Sequence, residues 1–246
     1  MRVADSVALV TGASRGFGRG IAASLVSGGA HVVGVARTSA DLEKVRAELG
    51  NAFTAVTADA ADPATAARLL DEYSPHTLVL CAGAAPRMSS LQDQTWESFS
   101  ENWNVDVAQA FHWVRYALLR PLPPGSSVIA ISSGAAIKGS PLSGGYAGAN
   151  ATVRFIADYA AVESERAGLG IGFSSVLPQL TAATDLGAKA VAAYAEWQGL
   201  DLDTFRSTLE PALTPEFVGE SILEIATTER RAGTYLLSSA GLSPLA

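Results

Sequence analysis

Short runs rich in β-branched and aliphatic residues alternate with stretches of helical periodicity along most of the chain. A run of this kind, followed by a segment long enough for a crossover helix, pairs with the next run in a parallel sheet covered on both faces. The runs are Val7 to Thr11, His31 to Ala36, Phe53 to Ala58, Thr77 to Cys81, Ser127 to Ser132, Gly170 to Leu177 and Thr234 to Ser238. Between them Ile21/Leu25, Leu42/Val45/Leu49 and Ala66/Leu69/Leu70 repeat at helical spacing. Asp62-Pro63 and Thr214-Pro215 each read as an N-cap followed by proline in the first turn. Two longer helices are expected over about Thr95 to Leu119 and Gly145 to Ala167. The fold class is therefore α/β, a doubly wound parallel sheet of about seven strands with helices on both faces.

At 246 residues the chain fits one domain, 1–246, rather than two. The stretch from Thr181 to Leu213 scatters Tyr194, Trp197, Leu200 and Phe205 among alanines and polar residues, and reads as a substrate lid or loop (181–213). A formal net charge of −7 without a basic stripe argues against a nucleic-acid partner. Cys81 is the only cysteine, so no intramolecular disulfide is expected. No apolar run approaches the roughly 18 residues that span a bilayer, and Met1-Arg2-Val3-Ala4-Asp5 leads into a strand without a secretory pattern. These features predict a cytoplasmic protein without a membrane partner.

The first strand ends in Thr11-Gly12-Ala13-Ser14-Arg15-Gly16-Phe17-Gly18, within which a helix begins. Glycines at 12, 16 and 18 let the backbone turn tightly against a pyrophosphate, and the helix N-terminus supplies free N–H donors. The strand before and the helix after are the context this pattern requires. Gly12-Ala13-Ser14-Arg15-Gly16 also matches the nucleophile elbow of a serine hydrolase, with Ser14 as nucleophile. That reading needs a histidine further along, and His31, His76 and His112 are poor candidates.

In a doubly wound fold the end of the second strand announces the cofactor, because a carboxylate there would bind the adenosine ribose. Here Ala36 is followed by Arg37 and Thr38. An arginine with no acid beside it suits a 2′-phosphate, and Arg15 could close on that phosphate from the glycine loop. NADP(H) is expected over NAD(H).

With the Thr11-to-Gly18 pattern and Ser133 thirteen residues before Tyr146, the chain resembles the short-chain dehydrogenase/reductase family. The resemblance implies a Rossmann-like domain over nearly the whole chain. It assigns Asp59 and Ala60 to the adenine side, and Ala82-Gly83, preceded by Cys81 where the family has Asn, to the cofactor. Pro178 matches its Pro-Gly motif, with Gln179 in place of Gly. By the same resemblance Tyr146 exchanges the hydroxyl proton and Ser133 holds the carbonyl oxygen.

Two catalytic positions depart. The lysine four residues after the tyrosine is Asn150, and the position of the family's relay Asn, counted back from Phe111, holds Asp106, with Asn104 two residues away. Asn150, one turn from Tyr146, can bind a ribose hydroxyl but brings no charge. Without a cation a tyrosine keeps a pKa near 10, so about one in a thousand is phenolate at pH 7. Alcohol oxidation should suffer most, and Asp106 would push the same way. Arg154 lies two turns on, roughly 12 Å away along the helix, which leaves Lys138 as the only replacement cation in reach.

The expected function is NADP(H)-dependent reduction of a carbonyl, or oxidation of the matching alcohol, in a small, fairly apolar metabolite. Ser132, Ser143, Gln179, Trp197 and Leu200 would shape substrate choice. Non-redox chemistry (dehydration, isomerisation or cyclisation) and a non-catalytic NADP(H)-binding protein are the alternatives. By resemblance the two long helices pair across subunits into a homodimer or homotetramer.

Overall fold

The computed structural model describes residues 3–228 and 233–245; Met1, Arg2 and Ala246, which bound the expected domain, lie outside the described residues. In chain order the elements are β1 (Val7–Thr11), α1 (Gly16–Ser27), β2 (His31–Ala36), α2 (Ser39–Leu49), β3 (Phe53–Thr57), α3 (Pro63–Tyr73) and β4 (Thr77–Leu80). The second half contains α4 (Trp96–Asn102), a π-helical turn (Trp103–Val107), α5 (Ala108–Leu119), β5 (Ser127–Ile131), α6 (Ala135–Lys138), α7 (Gly144–Arg166) and β6 (Gly172–Pro178). It closes with α8 (Asp185–Gln198), α9 (Leu202–Ser207), α10 (Pro215–Thr227), β7 (Gly233–Ser238) and β8 (Gly241–Leu245).

All eight strands form one sheet in the order β3-β2-β1-β4-β5-β6-β7-β8. The first seven are parallel, with Val7 opposite His31 and Leu78 opposite Val128, while β8 runs antiparallel to β7. Strand residues point alternately to two packed layers. Ala8, Val10, Val32 and Ile129 face Ile21, Leu25 and Ile222 on one side. Leu9, Val33, Leu78 and Val128 face Leu69, Trp113 and Phe173 on the other. Each fully buried Leu or Ile in these layers contributes about 1.5–3 kcal/mol. The sheet order reverses between β1 and β4, and a cleft opens at the carboxyl ends of the strands there.

Three sequence expectations are revised. An eighth strand follows β7, missed because Gly241-Leu242-Ser243-Pro244-Leu245 contains a proline; an edge position tolerates it because an edge strand need not donate outward. The helix expected over Thr95 to Leu119 starts at Trp96, capped by reciprocal Thr95 and Ser98 bonds, and carries the π-turn at Trp103–Val107. The stretch 181–213 contains two helices, α8 and α9, held by Val191, Ala195 and Phe205. Among the described residues no helix is long and apolar enough to cross a membrane.

Candidate active site

The cleft has a volume of about 1630 Å³ and takes its walls from the ends of β1, β2, β4, β5 and β6 and from α8. Its first wall is the glycine loop. Gly12 has φ +70°, and a Cβ there would sit 2.8 Å from the Ala82 backbone. A Cβ on Gly18 would lie 2.1 Å from the Gly12 carbonyl oxygen, so the loop can fold onto the start of α1 only without side chains. Ser14, Arg15, Gly16 and Phe17 complete this wall. Arg15 is exposed and points to Asp185 at 3.7 Å, at the start of α8, rather than toward Arg37.

Arg37 and Thr38 follow β2 on the cleft rim, both exposed, and Thr38 makes no side-chain cap to α2. Asp59 also lies on the rim, where its Oδ1 accepts from the Ala61 N–H at 2.9 Å; the Ala60 carbonyl accepts from the Trp113 indole at 2.8 Å. Ala82 and Gly83 are fixed by a buried relay that sequence reading missed. The Thr11 hydroxyl accepts from the Cys81 and Ala82 N–H groups and donates to Gln109 Oε1, while Gln109 Nε2 donates to the Ala82 carbonyl at 2.7 Å. The one available signal was Gln109, a polar residue on the buried stripe of α5 one turn after Asp106.

The π-turn decides which residue faces the cleft. Asp106 is 7% exposed, with Oδ1 accepting from the Ala84 N–H at 2.8 Å and Oδ2 from Asn102 Nδ2 at 3.1 Å; Asn104 is exposed to solvent. The alternative alignment through Asn104 is thereby excluded. Burial pushes the Asp106 carboxyl up to about 6, against the pull of the Ala84 and Asn102 hydrogen bonds.

Tyr146 projects from the first turn of α7 into the cleft, whose wall also carries Ser133; the Ser133 hydroxyl accepts from the Ala135 N–H at 3.2 Å. Burial pushes the Tyr146 phenol up to about 12; the nearby Ser133 hydroxyl opposes this, and Asp106, Cys81 and Tyr194 reinforce it as negative charges when ionised. Cys81 is itself held as a thiol, raised by burial to about 12. Asn150 is 3% exposed and its amide donates back to the Tyr146 carbonyl at 3.0 Å. Lys138 is on the exposed rim, and Arg154 faces Asp158 at 3.8 Å outside the cleft. Among the described residues no cation acts on Tyr146.

The polar rim also differs from expectation. Ser132 is buried and donates to the Asn150 carbonyl at 2.9 Å, so its hydroxyl is committed to the α7 backbone. Trp197 and Leu200 face solvent; α8 instead presents Leu186, Ala190, Tyr194 and Gln198 to the cleft. The face of α8 turned inward is the one carrying Tyr194. Pro178 accepts from the Gly134 N–H at 2.9 Å, beside Gln179. None of the three histidines lines the cleft near Ser14, which removes the hydrolase reading.

Fold and site together define a dinucleotide-dependent α/β protein with a serine–tyrosine pair. The chain belongs to the short chain dehydrogenase family, whose sequence model matches residues 6–195. L-xylulose reductase of Mesocricetus auratus is 34% identical over 124 residues, 49% of this chain and 50% of that protein. Versicolorin reductase 1 of Aspergillus parasiticus is 31% identical over 160 residues, 62% and 61% of the two chains. The matches thus span about half to three-fifths of these relatives. In fold, the chain is similar to a 3-ketoacyl-(acyl-carrier-protein) reductase from Brucella melitensis complexed with NADH, with a TM-score of 0.78 at 22% identity over 95% of this chain and 98% of that one.

Family membership makes the group for the glycine loop a nicotinamide dinucleotide. The chain fits it at the pyrophosphate end, where Gly12 and Gly18 let the loop close against Ala82 and the start of α1, and Gly12, Ser14, Gly16 and Gly18 line the cleft. At position 150, where the resemblance places a lysine at the nicotinamide ribose, the Asn150 amide gives one N–H to the Tyr146 carbonyl and keeps a second N–H and its Oδ1 for a ribose hydroxyl.

Proposed function

We propose that the protein is an NADP(H)-dependent reductase of a small, fairly apolar carbonyl compound. The observation that carries this reading is Tyr146, on the same cleft wall as Ser133 and kept protonated by a site that raises its pKa to about 12. When bound, the dinucleotide supplies the hydride. Ser133 and Tyr146 hold the carbonyl oxygen by hydrogen bonds, and Tyr146 gives its proton as negative charge develops there. Arg37 and Thr38 would take the 2′-phosphate, since Arg37 has an exposed guanidinium at the rim with no acid following it. Gly12, Ser14, Gly16, Phe17, Gly18, Asp59, Ala60, Ala82, Gly83 and Pro178 would line the rest of the cofactor. The reductase names of the relatives agree with this direction.

A stripe of exposed apolar residues supports a homodimer or homotetramer: Trp96, Trp103, Phe111 and Leu119 along α4 to α5, and Phe155, Tyr159 and Val162 on α7. Proton-transfer chemistry without hydride is a second reading, favoured by Asp106, a buried carboxyl raised to about 6 that acts on Tyr146.

Parallel titrations with NADPH and NADH, followed by nicotinamide fluorescence, test the proposal. Tighter binding of NADPH, and its oxidation when a carbonyl is added, are expected. Binding without oxidation by any carbonyl would point to a sensor, and binding of neither dinucleotide would remove the reductase reading.

A further inference from the structure

Near Tyr146 the cleft wall turns from glycines and alanines to hydroxyls. Tyr194 reaches in from α8, Ser140 from the turn after α6, and Ser143 from the residue before α7; all three line the cleft. The Tyr194 phenol and the Ser140 hydroxyl are hydrogen-bonded. Ser140 Oγ also lies 2.6 Å from Ser143 Oγ and accepts from the Ser143 N–H at 3.2 Å. The Tyr194 ring packs against the Val191, Ala195 and Phe205 cluster, so its hydroxyl is placed by packing rather than left to rotate. Tyr194 acts on the ionisation of Tyr146, which puts the two phenols in one site.

Proton accounting shows what this wall lacks. The three hydroxyls carry three protons, but only two hydroxyl–hydroxyl contacts join them, and one Ser140 lone pair is already taken by the Ser143 N–H. Whichever way the two bonds run, one hydroxyl proton is left over, and lone pairs remain on the outer oxygens. Ser143 is only 6% exposed while Tyr194 is half-buried on the cleft wall, so a guest meets the chain from the Tyr194 end. A guest that both accepts and donates completes the chain, and among neutral groups a hydroxyl does so with a single atom. Ser133, Tyr146 and the glycine loop need none of these three residues.

We propose that Tyr194, Ser140 and Ser143 form a hydroxyl-binding subsite beside Tyr146, so that the preferred substrates are carbonyl compounds carrying a hydroxyl a few bonds from the carbonyl carbon. The proposal deepens the reductase reading and rests on it. Tyr194 then acts in specificity, leaving Tyr146 as the proton donor. A site that hydrogen-bonds a substrate hydroxyl discriminates strongly against the analogue without it, because the site's own polar groups are otherwise left unpaired.

The test compares matched ketones, 2-hydroxyacetophenone against acetophenone and 2-hydroxycyclohexanone against cyclohexanone, by kcat/KM with NADPH. The wild type should favour the hydroxyketone at least about tenfold, and Tyr194→Phe and Ser140→Ala should each cut that ratio about tenfold or more. The alcohols 1-phenyl-1,2-ethanediol and 1-phenylethanol are titrated calorimetrically into the NADP+-saturated protein as a readout without turnover. If no ketone is reduced while the diol binds more tightly and Tyr194→Phe abolishes that preference, the reductase reading fails and the subsite stands. A ratio that is the same in wild type and Tyr194→Phe, in turnover or in binding, overturns the subsite.

Discussion

Replacing Asn150 with lysine restores a cation one helical turn beyond Tyr146, and the structure sets the size of the response. Tyr146 starts at about 12, so about one molecule in 10⁵ carries a phenolate at pH 7. Asn150 lines the same cleft, and its amide is held only by the Tyr146 carbonyl, so a longer side chain can leave along the wall toward the phenol. An ammonium within about 4–6 Å lowers such a pKa by about 1–3 units. Each unit multiplies the phenolate fraction tenfold, so alcohol oxidation with NADP+ should rise about 10- to 1000-fold near neutral pH. Carbonyl reduction should move far less, because at least about 99% of the phenol stays protonated at pH 7 in either protein. The assay is the oxidative rate at saturating cofactor between about pH 6 and pH 10.5. For a shift of about 2 units or more, Asn150→Lys should bend toward a plateau inside that range, whereas the wild type keeps rising. A gain of about 100-fold or more that is the same at every pH, with no bend, would refute the electrostatic account of Asn150.

Asp106 makes a stability prediction with a definite sign. Its folded-state pKa, about 6, lies above the ordinary 3.8, so the native state holds the proton more tightly than the unfolded chain. The resulting stability is complete below about pH 4 and lost as pH rises through 6. Two units correspond to about 3 kcal/mol, so the stability of Asp106→Asn relative to wild type should increase by about that much between pH 4 and pH 8 in urea unfolding; a difference constant with pH would contradict it. Arg37→Asp should weaken NADPH by roughly 10- to 100-fold through the loss of charge-assisted bonds, with little change for NADH; equal losses would remove the 2′-phosphate assignment. Phe155→Glu with Tyr159→Glu should shift the protein to monomer in sedimentation velocity if the exposed α7 face is the subunit contact; an unchanged assembly would move that contact elsewhere.

Sequence reading reached the fold because strand and helix periods dominate this chain: β1 and β2 were placed to the residue, and the other five predicted strands within two residues. Gly12 to Gly18, legible from spacing, and Ser133 and Tyr146, singled out through the family resemblance, line one cleft in the structure. What sequence reading missed depends on side-chain direction. Counting along α4 and α5 could not separate Asp106 from Asn104, because an extra residue in the π-turn at Trp103–Val107 shifts the register, as such turns often do near functional sites. Ser132 looked like rim and proved to be a bond to the α7 backbone. Residues 181–213 carry Tyr194 and Trp197 alike, and only the structure shows that the inward face of α8 is the one with Tyr194. Thr11 and Gln109 meet across 98 residues of sequence, a pairing no local pattern records.

The two departures from the family's catalytic pattern are not compensating. Losing a lysine beside a tyrosine removes positive charge, and a change that restored the balance would remove a negative charge or add a positive one nearby. Asp106 instead places a carboxyl where the family has an amide, and burial and Asp106 both act on Tyr146 to retain its proton. Both substitutions favour the neutral phenol, which is the reactant in proton donation and the wrong form for proton removal. In the proposed reductase they turn a reversible pair into one biased toward reduction. Asp106→Asn alone should therefore recover part of the oxidative rate above about pH 6, where the carboxyl would otherwise be charged, and none well below it.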